Sequence, residues 1–219
     1  MRLNKIKLAV FDMDGIVFDS ERVYFEKWQQ VCKKFGYEMD EAIHKGLMGT
    51  NAITEREYLL NVYGGDCPAE KIREERVKMI YEHANTYGMP IKPGFFELMS
   101  ALKQKNIPAV LATSSERKRA MLYLEKAGIT DRFMQITCGD EAKKGKPSPE
   151  IFLLAAKKAD IAPEDCAVFE DSENGIIAAH AANMLPVFVR DIFPASQNVK
   201  NLSGYVLESL SEAAEIIGG

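Results

Sequence analysis

Two aspartates, Asp12 and Asp14, stand one residue apart directly after the apolar run of residues 8–11. A continuous apolar run of this kind is typical of a strand that is covered on both faces of a parallel sheet. The two carboxylates would then lie just past the carboxyl end of the strand, where open α/β sheets bind their ligands. Gly15 follows and lets the backbone turn. An isolated Asp-x-Asp-Gly sequence is equally typical of a plain turn, in which aspartate side chains accept hydrogen bonds from the backbone.

Three further polar segments follow predicted strands or begin predicted helices. They are Thr113-Ser114-Ser115, the loop of residues 145–149 that carries Lys146, and the pair Glu170-Asp171. If the sheet is parallel, its strand ends place all of these groups along one edge, beside the two aspartates. Each segment by itself also fits a simpler interpretation: a helix cap, a solvated basic loop or the polar start of a helix.

Four carboxylates at one sheet edge require positive charge nearby. Two unit charges ~4 Å apart repel by ~4 kcal/mol at an effective dielectric constant of 20. Lys146 supplies a single positive charge, so a divalent cation is the simplest way to balance the others. Because every candidate ligand is an oxygen atom and no histidine or cysteine is near in the sequence, Mg²⁺ is the expected cofactor.

The elements that would position these groups fall into two blocks. Residues 20–87 have the pattern of successive helices with no convincing strand, whereas the rest of the chain alternates strands with helices. Alternation of this kind predicts a parallel α/β sheet wound on both faces. We therefore predict an α/β core formed by residues 1–18 and 91–219, and an inserted helical cap formed by residues 19–90. Hinges near residues 18–19 and 90–93 would let the cap move as a lid.

The composition narrows the class of protein. The chain has 219 residues, of which 47% are hydrophobic, and a formal net charge of -4. This balance fits a globular protein with a small ligand and argues against nucleic acid, whose binding needs a basic face. The four cysteines lack metal-ligand spacing, and no stretch approaches the ~18 apolar residues of a membrane span. We expect a cytoplasmic protein without membrane partners, and a monomer by default.

Taken together, the four motifs resemble those of the haloacid dehalogenase superfamily of phosphohydrolases, in the same order and spacing. The resemblance covers essentially the whole chain. The helical insertion after the first motif, the Gly-Lys-Pro-x-Pro of residues 145–149 and the Glu-Asp-Ser-x-x-Gly of residues 170–175 are similar to the β-phosphoglucomutase-like subfamily. The resemblance implies a Rossmann-like core with a helical cap.

It also implies catalytic roles. Asp12 resembles the nucleophile that attacks phosphorus and becomes an aspartyl phosphate. Asp14 resembles the general acid that protonates the leaving oxygen and then activates water. Ser114, with Thr113 as a second candidate, would hydrogen-bond the transferring phosphoryl group. Lys146 would neutralise the charge of that group and steady Asp12.

The resemblance implies a ligand set for the metal as well. Mg²⁺ would be held by the side chains of Asp12 and Asp171, by the backbone carbonyl of Asp14, and by Glu170 directly or through water. Catalysis in such a site is mostly positioning and stabilisation of charge.

The same chemistry serves hydrolases and mutases. In the β-phosphoglucomutases, a histidine on the first cap helix and an arginine in a cap loop grip a second phosphate. Here the position aligned with the histidine is Tyr24, and the loop of residues 49–52 contains no arginine. These departures favour a phosphatase, with a phosphosugar mutase as the alternative and an inactive phosphate-binding module ranked below both. A dehalogenase is not expected, because that branch lacks the second aspartate.

Residues of the cap are the candidates for substrate recognition. They are Tyr24, Thr50 and Asn51, with Arg76 or Lys78 on the long cap helix as further candidates. Their pattern fits an ordinary solvated helix surface equally well. We expect the substrate to be a small phosphorylated metabolite, such as a sugar phosphate or a nucleotide.

Overall fold

The computed structural model describes residues 2–48 and 52–219. Its contacts divide the chain into two compact units. The sheet unit comprises Met1–Asp19 and Met89–Gly219, and the helical unit comprises Ser20–Gly88. The assignment of these parts as a core domain and a moving cap stays a prediction. Within the described residues, no helix combines the length and the apolar character needed to cross a membrane.

The sheet unit is built on six parallel strands in the order β3-β2-β1-β4-β5-β6. This arrangement confirms the predicted α/β class with a parallel, Rossmann-like sheet. Val10 of the first strand lies opposite Val110 on one side and Val168 on the other. The strands are β1 Leu8–Phe11, β2 Ala109–Ala112, β3 Gln135–Thr137, β4 Cys166–Glu170, β5 Leu185–Val189 and β6 Tyr205–Leu207.

The central strands are apolar throughout because both faces of the sheet are covered. Every residue of β1, β2, β4 and β5 is buried. This includes the charged Glu170 at the carboxyl end of β4. One side of the sheet packs on an apolar cluster that includes Val10, Val168, Phe152 and Ala178. The central position of β1 places Asp12 between the carboxyl ends of its two neighbouring strands.

Helices of the sheet unit alternate with its strands. One of them, Gln197–Leu202, does not appear in the sequence prediction, because its six residues include a single buried apolar side chain, Val199. The helix that follows the loop of residues 145–149 begins at Glu150, with Pro149 in the cap position. The helices are α5 Phe95–Gln104, α6 Arg117–Ala127, α7 Glu150–Ala159, α8 Glu173–Ala181, α9 Gln197–Leu202 and α10 Leu210–Gly218, with short 3-10 turns at Leu3–Lys5, Thr130–Arg132, Gly139–Glu141 and Pro163–Asp165.

The helical unit contains α1 Ser20–Lys34, α2 Glu41–Leu47, α3 Ala52–Tyr63 and α4 Ala69–Tyr87. Trp28, Leu59 and Ile72 from three of these helices meet in its apolar core. The side chain of Asp40 accepts a hydrogen bond from the Ile43 amide at 2.8 Å and so caps α2. Such a cap satisfies one of the amides that the first turn of a helix leaves without a partner.

Candidate active site

Asp12 lies at the centre of the carboxyl edge of the sheet. Its backbone amide donates to the Phe169 carbonyl at 3.0 Å, which continues the pairing of β1 with β4 by one residue. The chain then turns at Gly15, whose φ of 76° lies in the left-handed region, and the Gly15 amide donates to the Phe18 carbonyl at 2.8 Å. This turn holds Asp12 and Asp14 in a short loop anchored at both ends.

Lys146 connects two of the predicted site residues. Its Nζ lies 2.5 Å from Asp12 Oδ1 and 2.5 Å from Glu170 Oε1. The Lys146 and Glu170 side chains are 7% and 1% exposed. The ammonium also lies over the Phe152 ring, 4.8 Å from its centroid. A single buried cation therefore joins the ends of β1 and β4.

Glu170 is held from a second direction by the start of α8. Its Oε2 accepts hydrogen bonds from the Ser172 amide and from Ser172 Oγ, both at 2.9 Å. A Cβ at Gly175 would come within 1.9 Å of the Glu170 carboxylate, so only glycine leaves room for it there. Both oxygens of Glu170 thus have partners within the protein.

Asp171 lies against the loop that carries the two aspartates. A Cβ added at Gly15 would stand 2.2 Å from Asp171 Oδ2. The carboxylate therefore packs directly on the backbone between Asp14 and the end of the turn. The structure brings Asp12, Asp14 and Asp171 to one edge of the sheet, as their positions after β1 and β4 predict.

The Thr-Ser-Ser segment approaches Asp14 through a residue to which the sequence analysis assigned no role. Ser115, which is buried, has its Oγ 2.9 Å from Asp14 Oδ2. The guanidinium of Arg119 donates to the same Oγ, and its Nη2 lies 3.8 Å from Asp14 Oδ2. Ser114 is exposed, whereas the Thr113 hydroxyl is buried and accepts from the Ser115 amide at 3.0 Å.

Sequence reasoning missed Ser115 and Arg119 as neighbours of Asp14. The available signal was their spacing of four residues across the beginning of a helix, since Ser115 precedes α6 and Arg119 lies in its first turn. That spacing does not identify the third partner, because Asp14 lies 101 residues from Ser115 in the sequence.

Negative charge outweighs positive charge around Asp12. Burial raises the pKa of Asp12 because the carboxylate loses its hydration, Lys146 opposes this effect, and repulsion from Glu170 and Asp14 adds to it. Burial by itself would lower the pKa of Lys146, but attraction to Asp12 and Glu170 outweighs it and the pKa is raised. Lys146 therefore remains a cation, while Asp12 is left short of positive charge.

The four carboxylates do not form one cluster of metal ligands. Within residues 2–48 and 52–219, no three aspartate, glutamate, histidine or cysteine side chains come close enough together to hold a metal ion. Glu170 in particular is taken up by other groups, because Lys146 lies between it and Asp12 and Ser172 binds its other oxygen. The remaining oxygen donors still fit Mg²⁺, which keeps several waters and takes one or two carboxylates from the protein.

The candidates for substrate recognition have different surroundings. Tyr24 lies on α1 and is 8% exposed. Thr50 and Asn51 lie outside the described residues. Arg76 stacks over the Trp28 ring at 4.0 Å and pairs with a glutamate of α3, whereas Lys78 is exposed.

Comparison with known proteins identifies the family. The model of the haloacid dehalogenase-like hydrolases matches residues 6–183. The chain is 31% identical over 185 residues to a phosphorylated carbohydrates phosphatase of Thermotoga maritima, covering 84% of each protein. It is also 31% identical over 221 residues to the β-phosphoglucomutase of Bacillus subtilis, covering 96% of each.

A solved structure gives the same result for the fold. A haloacid dehalogenase family hydrolase of Deinococcus radiodurans, crystallised with bound phosphate and sodium, superposes with a TM-score of 0.82 at 25% identity. The superposition covers 97% of this chain and 98% of that one. The family match, the parallel sheet and the acidic edge agree, and the chain belongs to the haloacid dehalogenase-like hydrolases, among relatives of the β-phosphoglucomutase type.

Proposed function

We propose that this protein is a Mg²⁺-dependent phosphatase that hydrolyses a small phosphorylated metabolite through an aspartyl phosphate at Asp12. The observation that carries the proposal is the Asp12 carboxylate, buried at the carboxyl edge of the sheet and held through one oxygen by Lys146. A second carboxylic acid, Asp14, stands two residues away on the same turn. The two relatives named as a phosphatase and a phosphoglucomutase both support phosphoryl transfer.

In this mechanism, Lys146 fixes Asp12 through Oδ1 and leaves the other carboxylate oxygen for attack. That oxygen forms a bond to phosphorus while the bond from phosphorus to the leaving oxygen breaks. Asp14 gives its proton to the leaving oxygen, so that the product departs as an alcohol. Water then attacks phosphorus and gives a proton to Asp14, which releases phosphate and restores the Asp12 carboxylate.

Two groups would hold the phosphoryl oxygens during both steps. Lys146 faces them with a buried positive charge, which is worth more at a dry site than in water. Ser114 remains the proposed hydrogen-bond donor to the phosphoryl group, with the buried Thr113 hydroxyl as the second candidate.

Mg²⁺, when bound, would neutralise phosphoryl charge as a Lewis acid. The residues proposed to hold it are Asp12 and Asp171 by their carboxylates and Asp14 by its backbone carbonyl. Glu170 acts through Lys146 or through water, since both its oxygens are already hydrogen-bonded. The excess negative charge around Asp12 supports a divalent cation at this edge.

The helical unit is part of the proposal as a cap domain, residues 19–90, that selects the substrate. Tyr24, Thr50 and Asn51 remain its candidate residues. A sugar phosphate is favoured among small phosphorylated metabolites, since the Thermotoga relative is named for phosphorylated carbohydrates.

A phosphosugar mutase is the second candidate, and the Bacillus relative that matches over 96% of both chains favours it. Incubation with β-glucose 1-phosphate and a trace of glucose 1,6-bisphosphate separates the two activities. A phosphatase releases inorganic phosphate and forms no glucose 6-phosphate. Conversion to glucose 6-phosphate would replace the phosphatase proposal by the mutase.

The test of the main proposal is phosphate release over a panel of sugar phosphates, nucleotides and an aryl phosphate. We expect turnover with Mg²⁺, loss of turnover with a chelator and recovery on adding Mg²⁺ back. Asp12→Asn should lower kcat by about 10⁴-fold or more, because the nucleophile is removed. The control Asp131→Asn, an exposed aspartate in the turn before β3, should retain wild-type turnover. Full activity of Asp12→Asn, or equal activity in chelator, would contradict the proposal.

A further inference from the structure

We propose that Ser115 and Arg119 position the Asp14 carboxyl group for proton transfer by holding its Oδ2. The inference rests on the proposed function, since it concerns the acid that protonates the leaving group. Ser115 ends the Thr-Ser-Ser segment but has no role under the resemblance, and Arg119 lies outside the four motifs. Both are positioning residues, because they act through Asp14.

The direction of the hydrogen bonds follows from the chemistry of the three groups. A guanidinium has only donors, so Ser115 Oγ must accept from Arg119 Nε, at 3.2 Å, and from Nη2. The hydroxyl of Ser115 has one hydrogen, which it donates to Asp14 Oδ2 at 2.9 Å. Ser115 therefore connects the Arg119 guanidinium to Oδ2 of Asp14 and holds that oxygen in place.

Ser115 can act in this way because its backbone is fixed on both sides. Its amide donates to Thr113 Oγ1 at 3.0 Å, and its carbonyl accepts from the Gly139 amide at 2.9 Å. The side chain is buried, so water does not compete for the bond to Asp14. A hydroxyl held in this way restricts rotation of the Asp14 carboxyl group.

Arg119 also stabilises the negative charge that forms on Asp14 during proton transfer. When Asp14 gives its proton to the leaving oxygen, the resulting carboxylate lies 3.8 Å from Arg119 Nη2. The attraction stabilises that carboxylate at the moment when the alcohol departs. The benefit is largest for poor leaving groups, which cannot depart without a proton.

The experiment compares two substrates that differ in their need for an acid. Glycerol phosphate has an alcohol leaving group that requires protonation, whereas the leaving group of 2,4-dinitrophenyl phosphate departs as an anion. The quantity measured is kcat/KM, which reports the steps through phosphoryl transfer to Asp12. Arg119→Met and Ser115→Ala should lower kcat/KM for glycerol phosphate by about 10- to 100-fold, part of the contribution of a positioned acid. They should leave kcat/KM for the dinitrophenyl ester close to wild type.

Three further variants complete the test. Arg119→Lys should recover part of the loss, because a cation is restored without the two-pronged donor. Lys118→Met, an exposed position on the same helix, should behave as wild type with both esters. Arg119→Met added to Asp14→Asn should cost nothing more, since the acid on which it acts is already gone.

Each outcome is decisive. Equal losses with both esters in Arg119→Met would overturn the inference, since the arginine would then bind the phosphoryl group or support the fold. If Asp14→Asn is selective against glycerol phosphate while Arg119→Met and Ser115→Ala are not, the inference fails and the proposed function stands. Turnover by Asp12→Asn would instead refute the proposed function. Should Ser115→Ala not fold, the partly exposed Arg119 carries the test through its two variants.

Discussion

The carboxyl edge of the sheet and the core of the helical unit both bury charged side chains, but with opposite balances. At the sheet edge, Asp12 and Glu170 share Lys146 as their cation. In the helical unit the carboxylate of Glu55 is shared by two cations, Arg76 at 2.8 Å and Arg73 at 3.6 Å. One region therefore has an excess of anions and the other an excess of cations.

In the helical unit, groups of the protein itself stabilise the excess positive charge. The Arg76 guanidinium stacks on Trp28, where the ring face attracts a cation. His44 is buried nearby, and burial together with the charge of Arg76 lowers its pKa to about 4, so the ring is neutral at pH 7. Glu55 is thus paired with two arginines and His44 is neutral, as expected of a structural core.

At the sheet edge, Lys146 does not balance the excess negative charge around Asp12. Burial and neighbouring carboxylates raise the pKa of Asp12 in spite of Lys146. A region in which carboxylates repel one another in this way is suited to binding a cation together with a substrate. We therefore expect a structural role for the helical cluster and a catalytic role for the sheet edge, and three substitutions test that expectation.

The largest effect is expected at the sheet edge, for Lys146→Met. Loss of the buried cation should lower kcat by about 10²- to 10³-fold, the usual cost of removing one group that stabilises developing charge. The measurement is phosphate release from the best substrate of the panel. Lys144→Met, an exposed lysine two residues before Lys146, is the matched control and should retain activity. Wild-type kcat in Lys146→Met would remove the distinction between the two regions.

A stability effect without a catalytic effect is expected for Glu55→Gln. The change leaves Arg73 and Arg76 without their buried counter-charge and should lower the free energy of unfolding by about 3 kcal/mol. Urea unfolding followed by circular dichroism measures the loss, and kcat on an aryl phosphate below the transition should not change. Glu57→Gln, exposed on the same helix, should cost little. A large fall in kcat for Glu55→Gln would contradict the structural assignment.

The smallest effect is a pH dependence of stability that comes from His44. Its pKa is about 4 in the folded protein, below the ordinary value of 6.5, so between these values the unfolded chain binds more protons. Stability is therefore complete above pH 6.5 and is lost as the pH falls towards 4, by about 2 kcal/mol between pH 7 and pH 5. Urea titrations of the wild type and of His44→Gln at several pH values measure the difference. The control His180→Gln changes an exposed histidine and should keep the wild-type slope of unfolding free energy against pH. An unchanged slope in His44→Gln would exclude His44 as the source of the pH dependence.

Most of the fold could be predicted because its signals are local. Continuous apolar runs mark β1 and β5, and the serine before α10 caps it through the Glu212 amide at 3.3 Å. The exception is α9, whose six residues have too little apolar pattern to stand out from a loop. The prediction that Asp12, Asp14 and Asp171 share one edge depended only on strand ends in a parallel sheet.

The arrangement of charges within that edge could not be predicted in the same way. The sequence predicts one repelling cluster of four carboxylates, with Lys146 nearby as an insufficient cation. In the structure, Lys146 lies between two of them, and Ser172 takes up the remaining oxygen of Glu170. Strand order places residues within a few ångströms, but rotamers and hydrogen bonds decide which atoms meet.

The sequence by itself determined the parallel α/β class, the helical insertion and the acidic strand ends, because periodicity, caps and turns act between residues a few positions apart. Only the tertiary structure decided that Lys146 pairs with Asp12 across 134 residues and that Ser115 and Arg119 contact Asp14. Such contacts depend on packing of the whole sheet, since several side chains at each strand end could reach the same place and only one arrangement satisfies their charges and hydrogen bonds together.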